Sequence, residues 1–132
     1  IGAYIIFPAV RIQNKMTING SRGLNKKIKD RFDLTLECIR RFYLQEDSPL
    51  YETLSRYESY FELFRDFKEY AKFFLLQDLL TENLEEVNFV LPFDNFNSSP
   101  LPKSSDEYLI YLNKMTSFVE KRNNRILEFN NN

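Results

Sequence analysis

The most regular pattern in the chain is a run of apolar residues at three- and four-residue steps, which begins just after Gly20 and Gly23. This spacing is typical of one face of an α-helix. It predicts a helix of about six turns over residues 22–44, with a charged stripe along its other side. The apolar face consists of Leu24, Ile28, Phe32, Leu36, Ile39 and Tyr43.

Capping signals predict further helices after this one. Ser48 and Pro49 are typical of a helix start, because the serine hydroxyl accepts a hydrogen bond from a free N–H and the first turn does not use the donor that proline lacks. Asp66 can cap another helix, which is either separate from the preceding one or continuous with it. A capping box at residues 104–107 predicts the last helix. The chain therefore has four to five predicted helices.

Three short segments, residues 4–7, 16–19 and 86–91, have the apolar or alternating composition of β-strands. A loop of moderate length separates the first two, which are predicted to form a hairpin, and Pro92 ends the third. We therefore expect an α+β fold that is mainly helical, with a small antiparallel sheet of two to three strands. One domain over residues 1–132 is the expected organisation.

Aromatic residues supply most of the material for a core, with 13 Phe and 8 Tyr in the chain, so one Phe-rich core is predicted. No apolar run approaches the roughly 20 residues that span a membrane, and a soluble protein without membrane contact is expected. Cys38 is the sole cysteine, which excludes an intramolecular disulfide and favours a reducing, cytoplasmic location. The absence of histidine excludes imidazole catalysis and histidine zinc sites.

Charge is unevenly distributed along the chain. Residues 1–44 carry nine Lys/Arg and three Asp/Glu, whereas residues 45–132 carry nine and sixteen. A basic half with nearby aromatic residues can contact nucleic acid through phosphates and stacking. The sequence pI of about 5.6 is far below the value of about 9 that nucleic-acid-binding domains usually exceed. Nucleic acid is therefore a partner that stays open but is not favoured.

Two groups on the long predicted helix have the chemistry of a binding site. Arg22 and the lysines after it lie at the helix start, where free N–H groups favour anions, although lysines there are ordinarily just solvated. Asp33 and Glu37 lie four residues apart on one face and could hold Mg²⁺ or divide acid and base roles. Ion pairing with residues four positions away, such as Glu37 with Arg41, is the favoured interpretation. Cys38 lacks an activating histidine and is predicted to be a small buried residue.

Residues 15–19, 22–25 and 28–41 resemble a family of uncharacterised bacterial proteins of unknown function, and the similarity continues to residues 122–123. The resemblance implies no activity, cofactor or catalytic residue. It does imply that this chain is the C-terminal part of a longer protein, with a further segment before Ile1. Because the similar residues include the polar stripe of the helix, the resemblance strengthens the prediction of a ligand or partner surface there.

We therefore predict a non-enzymatic binding or protein-interaction module with a charged groove along residues 22–44, no cofactor and no metal site. The predicted partner is a protein or the missing N-terminal segment, and an exposed apolar patch near residues 1–10 would favour that segment. The alternatives are a metal-dependent, phosphate-directed enzyme (nuclease or phosphotransfer) and a phage-conflict protein acting on nucleic acid. The predicted surface consists of Arg22, Asn25, Lys29, Asp33, Glu37 and Arg40.

Overall fold

The computed structural model describes residues 4–131, and these are organised around helices. Long connections without regular structure lie before the first helix and before the last one. The elements in chain order are α1 (Ile18–Leu24), α2 (Phe32–Tyr43), α3 (Tyr51–Arg56), α4 (Glu58–Phe61), α5 (Phe67–Phe73), a 3₁₀ helix (Gln77–Leu79) and α6 (Ser105–Asn131).

Helix α2 is the centre of the molecule. Every residue from Phe32 to Ile39 is buried, and α2 contacts both α3 and α5. The apolar side predicted from the sequence packs into the core, and Leu34 and Cys38 on another side of the helix are buried as well. A helix that is buried on more than one side also buries its polar residues, which therefore need hydrogen-bond partners inside the protein.

The prediction of a Phe-rich core is confirmed. Phe61 and Tyr70 are almost fully buried, with ring centroids 5.8 Å apart, and the ring of Phe64 continues the cluster 5.5 Å from that of Phe74. Most of these ring pairs are tilted or edge-to-face, which are the arrangements that aromatic quadrupoles favour. Since α4 and α5 are too short to be stable alone, this packing is what holds them in place.

The prediction of a single long helix over residues 22–44 is wrong. Helix α1 ends at Leu24, and a turn follows in which Lys29 and Asp30 have positive φ angles of 47° and 63°. Ile28 is fully buried within this turn, so it continues the apolar spacing without being helical. Leu24, which the pattern assigned to the core face, is 71% exposed.

The predicted antiparallel sheet is not present in residues 4–131, so the fold there is helical rather than α+β. The second predicted strand is the start of α1, where Thr17 caps the helix by accepting a hydrogen bond from the Gly20 N–H over 3.2 Å. The third contributes only an isolated antiparallel bridge between Leu80 and Val87. Short apolar runs are ambiguous because a helix start or a lone extended segment shows the same pattern as a strand.

The first predicted strand, residues 4–7, has no regular secondary structure and no partner strand among the described residues. Its side chains still alternate as they would in a strand. Ile5 and Phe7 pack against the core, while Tyr4 and Ile6 are 75% and 74% exposed. The alternation of buried and exposed side chains is present, but the predicted strand and its sheet are not.

Two of the predicted helix starts are confirmed by their caps. The Asp66 side chain accepts a hydrogen bond from the Glu69 N–H over 2.9 Å, and that of Ser104 accepts one from the Glu107 N–H over 3.1 Å. Helix α5 is separate from α4, which answers the question that the pattern left open. Within residues 4–131, no helix combines the length and the apolar character needed to cross a membrane.

Candidate functional site

The carboxylate of Asp33 is fully buried in the first turn of α2, and each of its oxygens accepts two hydrogen bonds. Nε and Nη2 of Arg31 donate over 3.0 and 2.5 Å, and the N–H groups of Leu34 and Val90 donate over 3.0 and 2.8 Å. Arg31 also donates to the Pro100 carbonyl over 2.9 Å. This buried pair attaches two irregular segments to the start of α2, and a metal ion at Asp33 would have to displace these donors.

Glu37, one turn further along α2, is buried in the same way. Its oxygens accept hydrogen bonds from Arg40 over 2.8 and 3.0 Å and from Arg41 over 2.8 Å. The predicted pairing of Glu37 with Arg41 is therefore confirmed. The Arg41 guanidinium also lies 4.8 Å from the centre of the Phe96 ring, a cation–π distance. The hydrogen bonds that Arg40 donates to the Glu37 carboxylate raise the pKa of Arg40, so this group stays charged.

The remaining predicted residues lie in α1 and in the turn that follows it. Arg22 donates to the Thr35 hydroxyl over 2.9 Å and forms an ion pair with Asp30 at 3.0 Å, while its burial lowers its pKa. Asn25 donates to a backbone carbonyl near the start of α3 over 3.4 Å. Lys29 is exposed. The structure thus joins Arg22 to α2 and Glu37 to Arg40, but it buries both carboxylates that were expected to line the charged groove.

The described residues hold no alternative centre for metal or thiol chemistry. No group of three or more histidine, cysteine or acidic side chains in residues 4–131 is placed to hold a metal ion. Cys38 is buried, as predicted. That burial raises the pKa of its thiol to about 12, so the thiol stays protonated at neutral pH and is a poor nucleophile.

A different surface, which we call the apolar groove, lies between residues 4–6, the end of α5 and the last turns of α6. Its volume is 680 Å³, inside the range of about 300–1,000 Å³ that is usual for ligand pockets. Phe73 and Phe129 in its wall are 68% and 72% exposed. The apolar and aromatic lining consists of Tyr4, Ile6, Phe73, Phe74, Leu75, Ile126 and Phe129.

Arg122 of α6 holds the walls of the apolar groove together. Its guanidinium donates to the Phe74 carbonyl over 3.1 and 2.8 Å and also to the Tyr4 carbonyl. The Tyr60 hydroxyl donates to the Ile6 carbonyl over 2.7 Å. These side chains satisfy two carbonyls of the N-terminal segment, which has no partner strand among the described residues.

One wall of the groove carries a strained backbone. Leu75 has a positive φ of 58° and occupies the position after α5 where a glycine usually stands. The Leu76 N–H donates to the Ala71 carbonyl over 2.9 Å and the Leu75 N–H to the Lys72 carbonyl over 3.2 Å, which completes a Schellman motif. A leucine held in this conformation is a feature from which a functional role can be argued.

The sequence contained a signal for this groove that the helical pattern did not use. Residues 73–76 are four consecutive large apolar residues. A helix end can turn only some of them inward, because neighbouring residues point about 100° apart around the axis. Leu76 is fully buried, while Phe73 is left outside. Such a run at a helix end therefore indicates exposed apolar surface.

Comparison with known families assigns most of the chain to a family. A model of a family of unknown function, DUF6994, matches residues 1–126. The chain belongs to the DUF6994 family. The predicted resemblance to a family of unknown function is thereby confirmed, while bacterial origin stays a prediction. No curated protein and no solved structure matches the chain. The DUF6994 match includes every residue of the apolar lining except Phe129.

Proposed function

We propose that this DUF6994 chain is a binding module that holds an extended, apolar segment of polypeptide in the apolar groove. The polypeptide belongs to a partner protein or to a segment that precedes Ile1. The observation that carries the proposal is the exposed apolar surface at residues 4–6. An exposed apolar patch of this kind usually marks a surface that another polypeptide segment covers.

The backbone beside the groove supports an extended occupant. In an extended segment, each residue directs both its N–H and its C=O group to one edge, and the next residue directs both groups to the opposite edge. The carbonyls of Tyr4 and Ile6 are used by Arg122 and Tyr60, but the backbone groups of Ile5 and Phe7 make no hydrogen bond within residues 4–131. An occupant of the groove that continues past residues 4–6 can pair with these unused groups, as in other complexes formed by strand addition.

The charges of the groove favour a partner with acidic residues next to its apolar ones. The two charged residues of the lining are Lys72 and Arg122, and both are cations. A peptide whose carboxylate approaches Lys72 gains attraction at the rim without burying a charge. This arrangement suits a peptide in which large apolar residues alternate with other residues and one Asp or Glu flanks them.

The alternatives receive less support from the described residues. A metal-dependent nuclease or phosphotransfer enzyme relied on Asp33 and Glu37, whose oxygens are occupied by arginine and backbone donors. The phage-conflict alternative followed from that enzyme, whereas a nucleic-acid partner rested on the basic excess of residues 1–44 and stays a prediction. The predicted surface at Arg22, Asn25, Lys29 and Arg40, a cytoplasmic location and a single domain stay predictions, and the proposal does not depend on them.

A peptide-display selection against the 132-residue chain tests the proposal, followed by affinity measurement on the selected peptides by NMR titration. We expect alternating apolar peptides with acidic flanks, and Leu75→Gly should weaken their binding by about tenfold, since a buried leucine is worth roughly 1.5–3 kcal/mol. Glycine suits the positive φ of this position, so the variant should fold. Leu63→Ser is the matched control, because Leu63 is 72% exposed and does not line the groove.

The control should bind within about twofold of the unchanged chain, which is less than 1 kcal/mol. Chemical-shift changes are expected at the amides of Ile5 and Phe7, where the added strand would pair. Selected peptides that bind Leu75→Gly as well as the unchanged chain would show that the groove is not the binding surface. Failure to select any peptide would also contradict the proposal.

A further inference from the structure

A second concave surface lies at the end of α2. It shares no lining residue with the apolar groove, but the ring of Phe64 in its wall lies 5.2 Å from that of Phe73 in the groove. This aromatic cleft has a volume of 420 Å³ and is lined by residues from α2, α3 and α4. Its walls combine aromatic rings with carboxylates, and neither the family match nor the proposed function gives it a role. The residues that matter for its chemistry are Phe42, Tyr43, Tyr51, Phe61, Glu58 and Glu62.

The aromatic walls of the cleft are held in fixed positions. The Phe42 ring lies 5.6 Å from that of Tyr51 and 5.4 Å from that of Phe61, at angles of 57° and 55°. The Tyr43 ring stands at 90° to that of Phe61, and its hydroxyl donates to the Phe61 carbonyl over 2.8 Å. Phe42, Tyr43 and Tyr51 are only partly buried. Rings set at steep angles to each other around open space can present several π faces to one guest.

The electrostatic character of the cleft is negative. Glu58 is the first residue of α4 and Glu62 follows its last residue, four positions later. Both are exposed and form no ion pair or side-chain hydrogen bond within residues 4–131. Two like charges at this spacing repel each other. Arg65 is the one cation of the lining, and it forms ion pairs with Asp66 and Glu69, which do not line the cleft. The C-terminal end of α2 adds the negative end of a twelve-residue helix dipole.

We propose that the aromatic cleft binds an alkylammonium group. The π faces and carboxylates attract the same cation, because ring quadrupoles stabilise a positive charge within about 6 Å of the ring centre, and the helix end adds to that attraction. A methylated or bulky ammonium fits better than a metal ion, which needs oxygen ligands that converge more closely than two flexible glutamates at an open rim. The group comes from a free choline-like molecule or from a lysine side chain of a polypeptide.

The test is an NMR titration of the 132-residue chain, at constant salt, with choline and with dimethylbutanol, its neutral carbon isostere. Choline should shift the ring resonances of Phe42 and Tyr51, and the alcohol should bind at least about threefold more weakly because it has no charge. Tyr51→Leu removes a π face and Glu58→Gln removes a charge without changing shape. Each should weaken choline binding by about two- to fivefold.

Glu120→Gln is the matched control, because Glu120 is an exposed carboxylate of α6 outside the cleft, and it should leave choline binding unchanged. Equal binding of choline and the alcohol would show an apolar cleft without cation recognition and would overturn the proposal. So would unchanged choline binding in both Tyr51→Leu and Glu58→Gln, provided that their amide spectra show a folded protein, and so would no binding of either ligand.

Two further measurements are needed. One distinguishes the two sources of the ammonium group, and the other distinguishes this proposal from that for the apolar groove. A peptide with trimethyllysine that binds at least tenfold more tightly than choline supports a polypeptide source, whereas equal affinity supports a free small cation. Leu75→Gly should leave choline binding unchanged, since Leu75 does not line the aromatic cleft. Failure of the apolar groove and failure of this cleft are therefore distinguishable in one set of variants.

Discussion

At the scale of single residues, the buried pair of Arg31 and Asp33 connects distant parts of the chain. It lies at the start of the central helix, and its hydrogen bonds reach residues 57 and 69 positions away in the chain, at Val90 and Pro100. A buried ion pair adds little net stability compared with apolar residues of the same shape. Breaking such a pair is costly, because it leaves one charge buried and uncompensated.

Replacing the carboxylate by a neutral amide tests this role. Asp33→Asn should lower the free energy of unfolding by about 3–5 kcal/mol, since the Arg31 guanidinium would stay buried without its anion. Urea unfolding of the two proteins measures the difference. Asp94→Asn, at an exposed position, should change stability by less than about 0.5 kcal/mol. A loss in Asp33→Asn no greater than in this control would mean that the pair is not a structural joint.

The partner of Asp33 was not predictable from helical spacing. That spacing pairs Asp33 with Lys29, but Lys29 belongs to a turn with a positive φ, so the geometry of a helix does not apply to it. Arg31, two residues away, is the real partner. Glu37 has helical residues on its C-terminal side, and there the pairing with Arg41 was predicted correctly. Local rules for charges hold only where the helix boundaries are right.

At the scale of elements, helix ends decide where prediction succeeded. A helix cap such as Asp66 depends on only a few adjacent residues, so it could be predicted from the sequence. The end of α1 is not marked in this way. Residues after Gly23 continue an apolar spacing because Ile28 fills the core from a turn, which is a tertiary effect. The sheet failed for a similar reason, since pairing depends on a distant segment whereas local extension does not.

The C-terminal end of α2 offers a test at this scale. Gln45 has a positive φ of 60°, and the Glu46 N–H donates to the Arg41 carbonyl over 2.8 Å, as in a Schellman motif. Gln45→Gly should raise the free energy of unfolding by about 0.5–1 kcal/mol, because glycine avoids the cost of the left-handed conformation. Urea unfolding measures the gain. Glu46→Gly, whose φ is not positive, should instead lose stability through the greater freedom of the unfolded chain.

A gain of stability in both glycine variants would trace the effect to the loss of unfavourable side-chain contacts rather than to the cap, because the unfolded chain favours a loss. A loss in both would mean that the side chain of Gln45 makes a contribution larger than its backbone strain. The exposed position of Gln45 argues against that outcome, since an exposed side chain has little packing to lose.

At the scale of the whole molecule, the candidate site moved from the charged stripe to an apolar surface. The sequence contained the exposed apolar residues at 4–6 and at Phe73, but their meeting depends on how the N-terminal segment crosses α5 and α6. Arg122, which is 118 residues away from Tyr4 in the chain, contributes to that arrangement together with Tyr60 and the core. No periodic pattern records a contact of this range, so the groove could not be predicted as one site.

Arg122 therefore gives the test of whether the groove and the fold depend on one contact. Arg122→Lys should lower the free energy of unfolding by about 2–3 kcal/mol, because a single ammonium cannot reproduce the planar fork that reaches both the Phe74 and Tyr4 carbonyls. Urea unfolding measures the loss, and hydrogen exchange of the Ile5 amide reports whether the N-terminal segment has detached.

Arg125→Lys is the matched control. Arg125 lies on the next turn of α6, is more exposed, and pairs with Asp78 at 2.6 Å. That change should lower the free energy of unfolding by less than about 1 kcal/mol. Equal losses in the two variants, with unchanged exchange at Ile5, would show that the groove is held by apolar packing alone. A larger loss at Arg122 with faster exchange would show that one side chain of α6 both stabilises the fold and forms the groove.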